Sequence, residues 1–387
     1  MIATVRDVAR GGFGVVAGLN GPVMIPRVLT GEKIRFKISH HRHGVDWGTA
    51  EEILCSSPHR VPPPCPHYNH CGGCNLQHAA PDHQLEIKTG ILRGNLKRIA
   101  GMDPAPQPAI KESPPFHYRT RMVLQIRQGK AGFFHRGSHR LVAVATCPLM
   151  PPAMQARMQE LAGHPRIKNL DEGQLVLLSN GEEVSASLVE NGQWFDLAGP
   201  SQVTFRLPAG DFTVAPRNFV QANLFTMPAM QALALPLGKG ISTGADLYAG
   251  AGFLTLAMAR RCTQNGWAVE SDHHNLKMLR FNLEVNGLEH IQTMGKHIAD
   301  RHWPRVDFVV SDPPRKGIPF RVIDSLGTAP PMEMVMFSCD SATFSRDLGR
   351  LIKRGFTLIE SALIDNFPQS DHMEIAARLR GPAKMQG

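Results

Sequence analysis

Hydrophobic and polar residues alternate in short runs through residues 1–54, and glycine separates the runs. Alternation with a period of two, bounded by turn-forming residues, predicts short β-strands. The runs are IATVRDVA (2–9), GFGVVAGL (12–19), GPVMIPRVL (21–29), GEKIRFKISH (31–40) and VDWGTAEEIL (45–54). Short strands at this density favour a small barrel of the oligonucleotide-binding kind, and an unspecialised β-domain is the alternative. We therefore expect the first domain to span residues 1–56.

The pattern changes twice between this domain and residue 210. SSPHRVPPPCP (56–66) is rich in proline and predicts an extended linker. Residues from about 82 to 101 have the apolar period of a helix that ends at Gly101, and this helix could pack on the C-terminal domain. Residues 115–210 return to the alternation of β-strands. These features predict a central β-rich domain over residues 57–210.

Strands, glycine turns and helices follow one another in the C-terminal part, which predicts a doubly wound α/β domain over residues 211–387. In GADLYAGAGFLTLAMARRC a strand ends near Tyr248, and Gly250 and Gly252 allow a tight turn before a helix. Such a turn lets a ligand approach the backbone and the helix N–H groups. Glu270 ends the next strand, where an acidic residue can bind ribose hydroxyls. A dinucleotide is one candidate ligand. S-adenosylmethionine fits at least as well, because it has no phosphate that needs a third glycine.

VDFVVSDPPRKG (306–317) predicts a buried strand that ends in Asp312, two prolines and Arg315. The prolines stiffen a loop at the carboxyl end of a sheet strand, where ligands of such folds bind. Adenine-N6 methyltransferases place an aromatic residue after the two prolines, so Arg315 argues against adenine as the target.

Cys339 follows another apolar strand in MVMFSCDSATFSRDL (334–348), on the side of the sheet where ligands are expected. Reactive thiolates need a polar, partly exposed setting of this kind, with a cation nearby. Cys339 is therefore a candidate nucleophile, and Glu374, before the closing strand, is a candidate base. Cys55 and Cys262 have no such setting, and we expect them to be packing residues.

Cys65, Cys71 and Cys74 fall within the ten residues CPHYNHCGGC, although the chain has only seven cysteines. An odd number of irregularly spaced cysteines argues against a disulfide framework. Clustered thiols indicate metal binding or catalysis. With one distant fourth cysteine, the group suits a four-iron cluster. A structural zinc is an equal alternative on spacing alone, helped by the neighbouring histidines His67, His70 and His78.

The formal net charge of +9, from 42 Lys+Arg and 33 Asp+Glu, favours polyanionic partners. No apolar run approaches the roughly 20 residues of a membrane helix, and the amino terminus has no secretory apolar core. We expect a cytoplasmic monomer with no membrane partner; RNA rather than DNA is the partner that the family resemblance below implies.

Four motifs occur in order: DLYAGAG, SDPPRKG, FSCDSATFSRD and FPQSDHME. Together they closely resemble the 5-methyluridine RNA methyltransferase family, which acts on tRNA or on large-subunit ribosomal RNA. Several members also carry an amino-terminal TRAM barrel and a four-cysteine iron–sulfur cluster. Residues 1–54 resemble the TRAM barrel, CPHYNHCGGCNLQH the cluster segment, YRTRMVLQI the central domain, and PRNFVQANLF the segment leading into the catalytic domain.

The resemblance implies a role for each matched residue. Cys339 matches the nucleophile, Glu374 the base, and Asp312 the acidic residue between cofactor and target base, while Arg121 resembles an active-site arginine. The positions that match contacts or neighbours of S-adenosylmethionine are Gln221, Tyr248, Gly250, Phe253, Glu270 and Asp312. The positions that match cluster ligands are Cys65, Cys71, Cys74 and Cys147. The departures from the family pattern are Asp340 and Ser341 in place of Asn-Pro, Phe253 in place of asparagine or glycine, and Ser370 in place of threonine.

The implied fold is an OB-like TRAM barrel, a central β-rich domain with a [4Fe–4S] cluster, and a Rossmann-like class I methyltransferase domain. The implied activity is S-adenosylmethionine-dependent formation of 5-methyluridine in 23S rRNA, or in tRNA, through covalent addition of cysteine to uracil C6. The target is expected to be a loop uridine, because C5 and C6 are hidden in a stacked helix. The alternative function is a non-catalytic RNA-binding protein with a redox-responsive metal cluster, and zinc stays the alternative metal. Cytosine-C5 methylation is disfavoured, because the loop at Asp312 contains no cysteine after its prolines.

Overall fold

The computed structural model describes residues 1–18, 21–103, 105–238, 241–296, 298 and 305–382. The N-terminal part is one curled six-stranded sheet in the order β1-β5-β6-β4-β3-β2. Its strands are β1 Ile2–Thr4, β2 Asp7–Ala9, β3 Phe13–Ala17, β4 Pro22–Pro26, β5 Lys33–Arg42 and β6 Val45–Cys55. The predicted strand at 12–19 is present up to Ala17, and Leu19 lies outside the described residues. The other predicted strands of this part are observed, except that residues 2–9 form two strands rather than one.

This split has a physical reason, because residues 2–9 bond to both edges of the same sheet. β1 pairs with β5, whereas β2 pairs with β3. Between them, the Val5 N–H donates to the Glu32 carbonyl and the Arg6 N–H donates to the Val15 carbonyl, each at 2.8 Å. The partner therefore changes at Val5, and the sheet curls around a core of valines, isoleucines and Phe36.

A linker and a long helix connect this sheet to the rest of the chain. α1 spans Pro81–Asn95, continues as a π-helical turn over Leu96–Ala100, and ends at Gly101 with φ of 70°. Leu92 and Leu96 are fully buried in the C-terminal core. Then β7, Ala109–Lys111, joins the edge of the C-terminal sheet. Residues 81–111 thus belong structurally to the C-terminal sheet, although they precede the central domain.

The central part is an antiparallel six-stranded sheet in the order β10-β9-β8-β11-β12-β13, with two helices beside it. The strands are β8 Arg121–Arg127, β9 Lys130–Phe134, β10 Leu141–Ala143, β11 Glu172–Ser179, β12 Val184–Glu190 and β13 Gln193–Ala198. The helices are α2 Pro152–Leu161 and α3 Pro165–Lys168. Alternate residues of β8 are buried, as expected for a sheet with one covered face.

The C-terminal part is an eight-stranded sheet in the order β18-β17-β16-β19-β20-β22-β21-β7, with helices on its faces. The strands are β16 Gly244–Asp246, β17 Gly266–Val269, β18 Ile291–Met294, β19 Phe308–Ser311, β20 Glu333–Ser338, β21 Thr357–Ile364 and β22 Glu374–Arg380. The helices are α4 Met227–Leu233, α5 Phe253–Ala259, α6 His273–Val285, α7 Phe320–Thr328 and α8 Ser341–Lys353. Strands β16 to β20 are parallel, so their carboxyl ends meet at one edge.

The boundary expected at residue 210 differs from the structure. It cuts the hairpin of β14, Val203–Leu207, and β15, Gly210–Val214. Both strands pack in one core with α5 and α6. The C-terminal unit therefore begins before Val203, and its expected last residues, 383–387, lie outside the described ranges.

None of the helices in the described ranges is both long enough and apolar enough to cross a membrane.

Candidate active site

Cys339 lies between β20 and α8, at the carboxyl edge of the parallel strands. The carboxylate of Asp340 begins α8 by accepting a hydrogen bond from the Thr343 N–H at 2.9 Å. Burial, with a smaller contribution from the nearby carboxyl groups of Glu374 and Asp312, raises the pKa of the Cys339 thiol to about 11. The charge and hydrogen bond of Arg315 act in the opposite direction and lower this pKa. A partly buried thiol therefore faces two acids and one guanidinium.

Asp312 and Glu374 meet at Cys339 because their strands flank β20 in the sheet. Asp312 follows β19, and its Oδ2 accepts a hydrogen bond from Gln221 Nε2 at 2.8 Å. Burial raises the pKa of Asp312 to about 6. Glu374 begins β22, where Ser338 pairs with the residue after it, and only 3% of its surface is exposed. Burial and the charge of Asp312 raise the pKa of Glu374 well above its usual range, and among the described residues its Oε1 finds no hydrogen-bond partner.

The glycine turn after β16 forms the edge where a nucleoside ligand can be held. Gly250 and Gly252 have φ of 55° and 103°, and a Cβ at Gly250 would meet open space. Glu270 accepts hydrogen bonds from the Gly250 N–H at 2.8 Å and the Asp272 N–H at 2.6 Å. The hydroxyl of Tyr248 is buried without a partner. Open backbone, a carboxylate and a free hydroxyl suit the hydroxyls and nitrogens of an adenosyl group.

Two predicted site residues lie elsewhere than the prediction implies. The ring of Phe253 is 6% exposed and packs on Phe212, with ring centroids 5.6 Å apart, so it belongs to the core rather than to a cofactor surface. Arg121 donates from Nε to the Pro216 carbonyl at 2.9 Å and lines the cavity of the clustered cysteines. Within the described residues it makes no hydrogen bond to Cys339.

The predicted cluster cysteines line one cavity of about 340 Å³, which we call the cysteine cavity. The four are Cys65, Cys71, Cys74 and Cys147. Burial, with a smaller contribution from neighbouring thiolates, raises the pKa of Cys74 to about 12 and that of Cys147 to about 11. Thiols in such a place stay protonated at neutral pH unless a cation replaces the protons.

Four thiols around one cavity are a donor set for a four-iron cluster, with zinc as the alternative. Zinc–sulfur bonds of about 2.3 Å place sulfurs about 3.8 Å apart. Throughout the described ranges, no three of these cysteine sulfurs lie within 4.8 Å of one another. The histidines that would favour zinc do not line the cavity, and His78 is bonded through Nδ1 to the Tyr68 hydroxyl at 2.6 Å. A four-thiolate, four-iron group fits this donor set.

A cleft of about 940 Å³ runs between the N-terminal sheet, the central sheet and residues 65–78, which we call the cysteine segment. Its lining includes Arg10, Phe13, Phe134, Arg136 and His372. Arg10 and His372 also line the small cavity beside Cys339, so the cleft leads to the nucleophile. Cations and aromatic rings of this kind are typical of surfaces that bind single-stranded nucleic acid.

Sequence reasoning missed several groups that the fold brings together. Arg10, in the N-terminal sheet, pairs with Asp340 beside the nucleophile, and no spacing signal connects positions so far apart. His59, His83 and Glu86 bring their donor atoms within 4.8 Å of one another. The helical spacing of His83 and Glu86 was the available signal for that group. Cys55, expected to be a packing residue, is exposed because it is the last residue of β6, whereas Cys262 is buried as expected.

Comparisons with known proteins agree with this geometry. A family model described as methyltransferase small domain matches residues 228–321. Over 97% of its length the chain is 29% identical to a protein of Aquifex aeolicus named uncharacterized RNA methyltransferase, of which 97% is covered. Over 95% of its length it is 28% identical to the 23S rRNA (uracil(1939)-C(5))-methyltransferase RlmD of Alkalilimnicola ehrlichii, of which 93% is covered.

One solved structure extends the likeness to the whole fold. It is the tRNA (uracil-54, C5)-methyltransferase of Pyrococcus abyssi in complex with S-adenosyl-L-homocysteine. It matches with a TM-score of 0.78, covering 98% of this chain and 100% of that one at 24% identity. The N-terminal sheet, the central sheet and the C-terminal sheet therefore share an overall fold with that protein.

Proposed function

We propose that this chain methylates C5 of a uridine in 23S rRNA with S-adenosylmethionine as methyl donor. The chain belongs to the 5-methyluridine RNA methyltransferase family and is an enzyme of that class. The names of several full-length relatives support ribosomal RNA as the substrate. The observation that carries the proposal is the meeting of Cys339, Asp312 and Glu374 at one edge of the sheet, next to the glycine turn.

Each of these groups has a part in the chemistry that uracil requires. C5 of uracil is a weak nucleophile, so the Cys339 thiolate adds to C6 and turns the ring into an enolate. Bound S-adenosylmethionine supplies an electrophilic methyl group to C5 at this stage. Arg315 faces the thiol and favours the thiolate form. Asp312, held by Gln221, lies between the nucleophile and the glycine turn and can orient both partners.

The second half of the reaction needs a base. After methylation, C5 carries a methyl group and a proton, and Glu374 removes the proton. The C5–H electrons then form the C5–C6 double bond, and the sulfur of Cys339 leaves as thiolate. The unpartnered Oε1 of Glu374 can take the proton, and its raised pKa makes it a stronger base when it is ionised.

The remaining parts of the chain have roles in holding ligands and RNA. Gln221, Tyr248 and Glu270, with the backbone at Gly250, would hold the adenosyl and methionyl groups. Cys65, Cys71, Cys74 and Cys147 would hold a [4Fe–4S] cluster, for which a structural role suffices because methyl transfer needs no electron. The curled N-terminal sheet is proposed as the TRAM barrel. With the central sheet it would bind RNA along the cleft that contains Arg10 and Arg136.

A covalent trap tests the proposal. RNA with 5-fluorouridine at the target should form a stable adduct with the protein and S-adenosylmethionine, because fluorine cannot leave as a cation when Glu374 acts. The adduct should be absent with Cys339→Ala and present with Cys55→Ala. Cys55 is the matched control because it is the exposed last residue of β6. A folded protein that traps neither 23S rRNA nor tRNA fragments would overturn the enzymatic reading.

The alternative, a non-catalytic RNA-binding protein, predicts that Cys339→Ala leaves the cellular role intact. Mapping 5-methyluridine in total RNA from cells with and without the gene distinguishes the two functions. The same map separates ribosomal RNA from tRNA as the substrate.

A further inference from the structure

The loop that leads into Glu374 is held by parts of the chain that are distant in sequence. We call this loop, residues 365–373 between β21 and β22, the base loop. Asp371, His372 and Met373 of the base loop line one small cavity together with Cys339. The base loop therefore forms a wall beside the nucleophile, directly before the proposed base.

Asn75 makes the closest connection between the cysteine segment and the base loop. Its Nδ2 donates to Asp371 Oδ1 at 2.5 Å, and its Oδ1 accepts from the Asp371 N–H at 2.9 Å. The N–H groups of Asn75 and Leu76 both donate to the Gln369 carbonyl, at 3.1 and 3.0 Å. Asn75 is buried and directly follows Cys74. Reciprocal bonds between buried groups fix both distance and orientation, and losing one partner leaves the other unsatisfied.

Other anchors hold the first half of the base loop. Gln84 accepts a hydrogen bond from the Gln369 N–H through Oε1 and donates to Gln369 Oε1 through Nε2. Lys88 donates to Asp365 and to the Phe367 carbonyl, and the Tyr118 hydroxyl donates to the Pro368 carbonyl. The guanidinium of Arg119, which lines the cysteine cavity, lies over the Phe367 ring at 5.3 Å from its centroid. The half nearest to Glu374 is held by Asn75 and by the Gly11 N–H, which donates to Asp371 Oδ2 at 2.6 Å. Asn75 is thus the side chain through which the cysteine segment reaches this half.

The base depends on these anchors more than the nucleophile does. Glu374 pairs with Ile364 at the very end of the β21–β22 hairpin, and terminal pairs are the first to open. Within the described residues its Oε1 has no hydrogen-bond partner, and the carboxylate is held by a single backbone hydrogen bond from Ser338. Cys339, by contrast, is fixed between β20 in the middle of the sheet and the capped start of α8. Loosening the base loop should therefore displace the base and leave the nucleophile in place.

We propose that Asn75 is a positioning residue. It holds the base loop so that Glu374 can remove the C5 proton, and the cysteine segment thereby controls the step that releases the methylated RNA from Cys339. This inference rests on the proposed function. In the step concerned, Glu374 takes the C5 proton, the C5–H electrons form the C5–C6 bond, and the sulfur–C6 bond breaks to give the Cys339 thiolate.

The test is a single-turnover reaction with unmodified RNA and methyl-labelled S-adenosylmethionine, stopped at intervals and separated on a denaturing gel. With the wild-type protein, label should move to free RNA. With Asn75→Ala, label should accumulate in a covalent protein–RNA band. Release should slow by about a hundredfold, the scale of a misplaced catalytic group. Formation of the labelled adduct should stay within about twofold of wild type, since the proposal leaves Cys339 fixed.

Asn69→Ala is the matched control, because Asn69 lies in the same segment but bonds through Oδ1 to Arg27 of the N-terminal sheet. It should release product at the wild-type rate. If Asn75→Ala does not fold, Asp371→Asn replaces it in the test. This substitution turns one of the two accepting carboxylate oxygens of Asp371 into a donor. Equal loss of adduct formation and release, or normal release, would overturn the positioning role. Absence of any labelled adduct or product with the wild-type protein would instead overturn the proposed function.

Discussion

Cys339 and the thiols of the cysteine cavity differ in their neighbours although burial acts on both. Burial raises the pKa of Cys339 to about 11, of Cys147 to about 11 and of Cys74 to about 12. Cys339 also faces the guanidinium of Arg315 and lies at the edge of a sheet that ligands can reach. The cavity cysteines face one another, and guanidiniums lower the pKa of two of them, Arg119 that of Cys147 and Arg136 that of Cys71. A raised thiol pKa with a cation nearby therefore does not distinguish a nucleophile from a metal ligand, whereas the other neighbours do: carboxyl groups at Cys339 and further thiols in the cavity.

The largest expected effect comes from removing the nucleophile alone. Cys339→Ala should abolish 5-methyluridine formation, because loss of a covalent nucleophile costs on the order of 10⁴-fold or more. The visible absorption of a cluster at the cysteine cavity should be unchanged. Parallel loss of absorption and activity would show that the two thiol sites are not separate.

Removing one thiol of the cysteine cavity should have the opposite pattern. Cys147→Ser should remove the cluster absorption and lower the free energy of unfolding by on the order of 4 kcal/mol, as expected when a structural metal is lost. Binding of S-adenosylmethionine, measured by calorimetry, should persist, because its proposed contacts lie in the C-terminal domain. Chelation of the metal from the wild-type protein should reproduce both results. Retained absorption in Cys147→Ser would exclude it as a ligand.

A smaller effect should follow from removing the cation that faces Cys339. Arg315→Met removes the charge and hydrogen bond that lower the thiol pKa, so that pKa should rise and less thiolate should be present at each pH below it. Adduct formation with 5-fluorouridine RNA should slow about tenfold at pH 8, and its pH profile should move to higher pH. Lys316→Met, at the next exposed position, is the control and should keep the wild-type profile. An unmoved profile in Arg315→Met would contradict the comparison.

The smallest expected effect tests whether burial also raises the pKa of a group that is not a thiol, the carboxyl group of Asp246. Burial raises the pKa of Asp246 to about 7, although bonds from the Thr255 hydroxyl and the Tyr248 N–H lower it. The folded protein therefore keeps a proton that the unfolded chain loses above about pH 4, and this contribution to stability declines as pH rises to about 7. Asp246→Asn should flatten that decline, by a few kcal/mol at most, in urea unfolding between pH 4 and 8. Asp211→Asn, at an exposed position of β15, should not change it.

Local sequence patterns predicted the elements well, because alternation and glycine turns are local signals. α1, the strand before Asp312 and the strand before Cys339 lie as predicted. The pattern could not show that residues 2–9 divide between two partners, since that depends on which strands come to lie on either side. It also could not assign β7 to the C-terminal sheet, because a three-residue strand has no period of its own.

The candidate site was predictable to the extent that its residues end strands of the parallel sheet. Asp312 and Cys339 follow adjacent parallel strands, so topology alone brings them together. Asn75 and Arg10 could not be found in this way, because their partners Asp371 and Asp340 lie in another domain. The inward ring of Phe253 was also beyond local reasoning, since a residue at a helix start can face either side.

The bond between Asn75 and Asp371 joins positions that differ by 296 in the sequence. Chains are synthesised from the amino terminus at roughly 5–20 residues per second and fold domain by domain. Asn75 thus leaves the ribosome many seconds before the base loop that it holds. In the nascent chain, Cys339 is also present before the base loop can bind Asn75. Full turnover becomes available only after the base loop has left the ribosome.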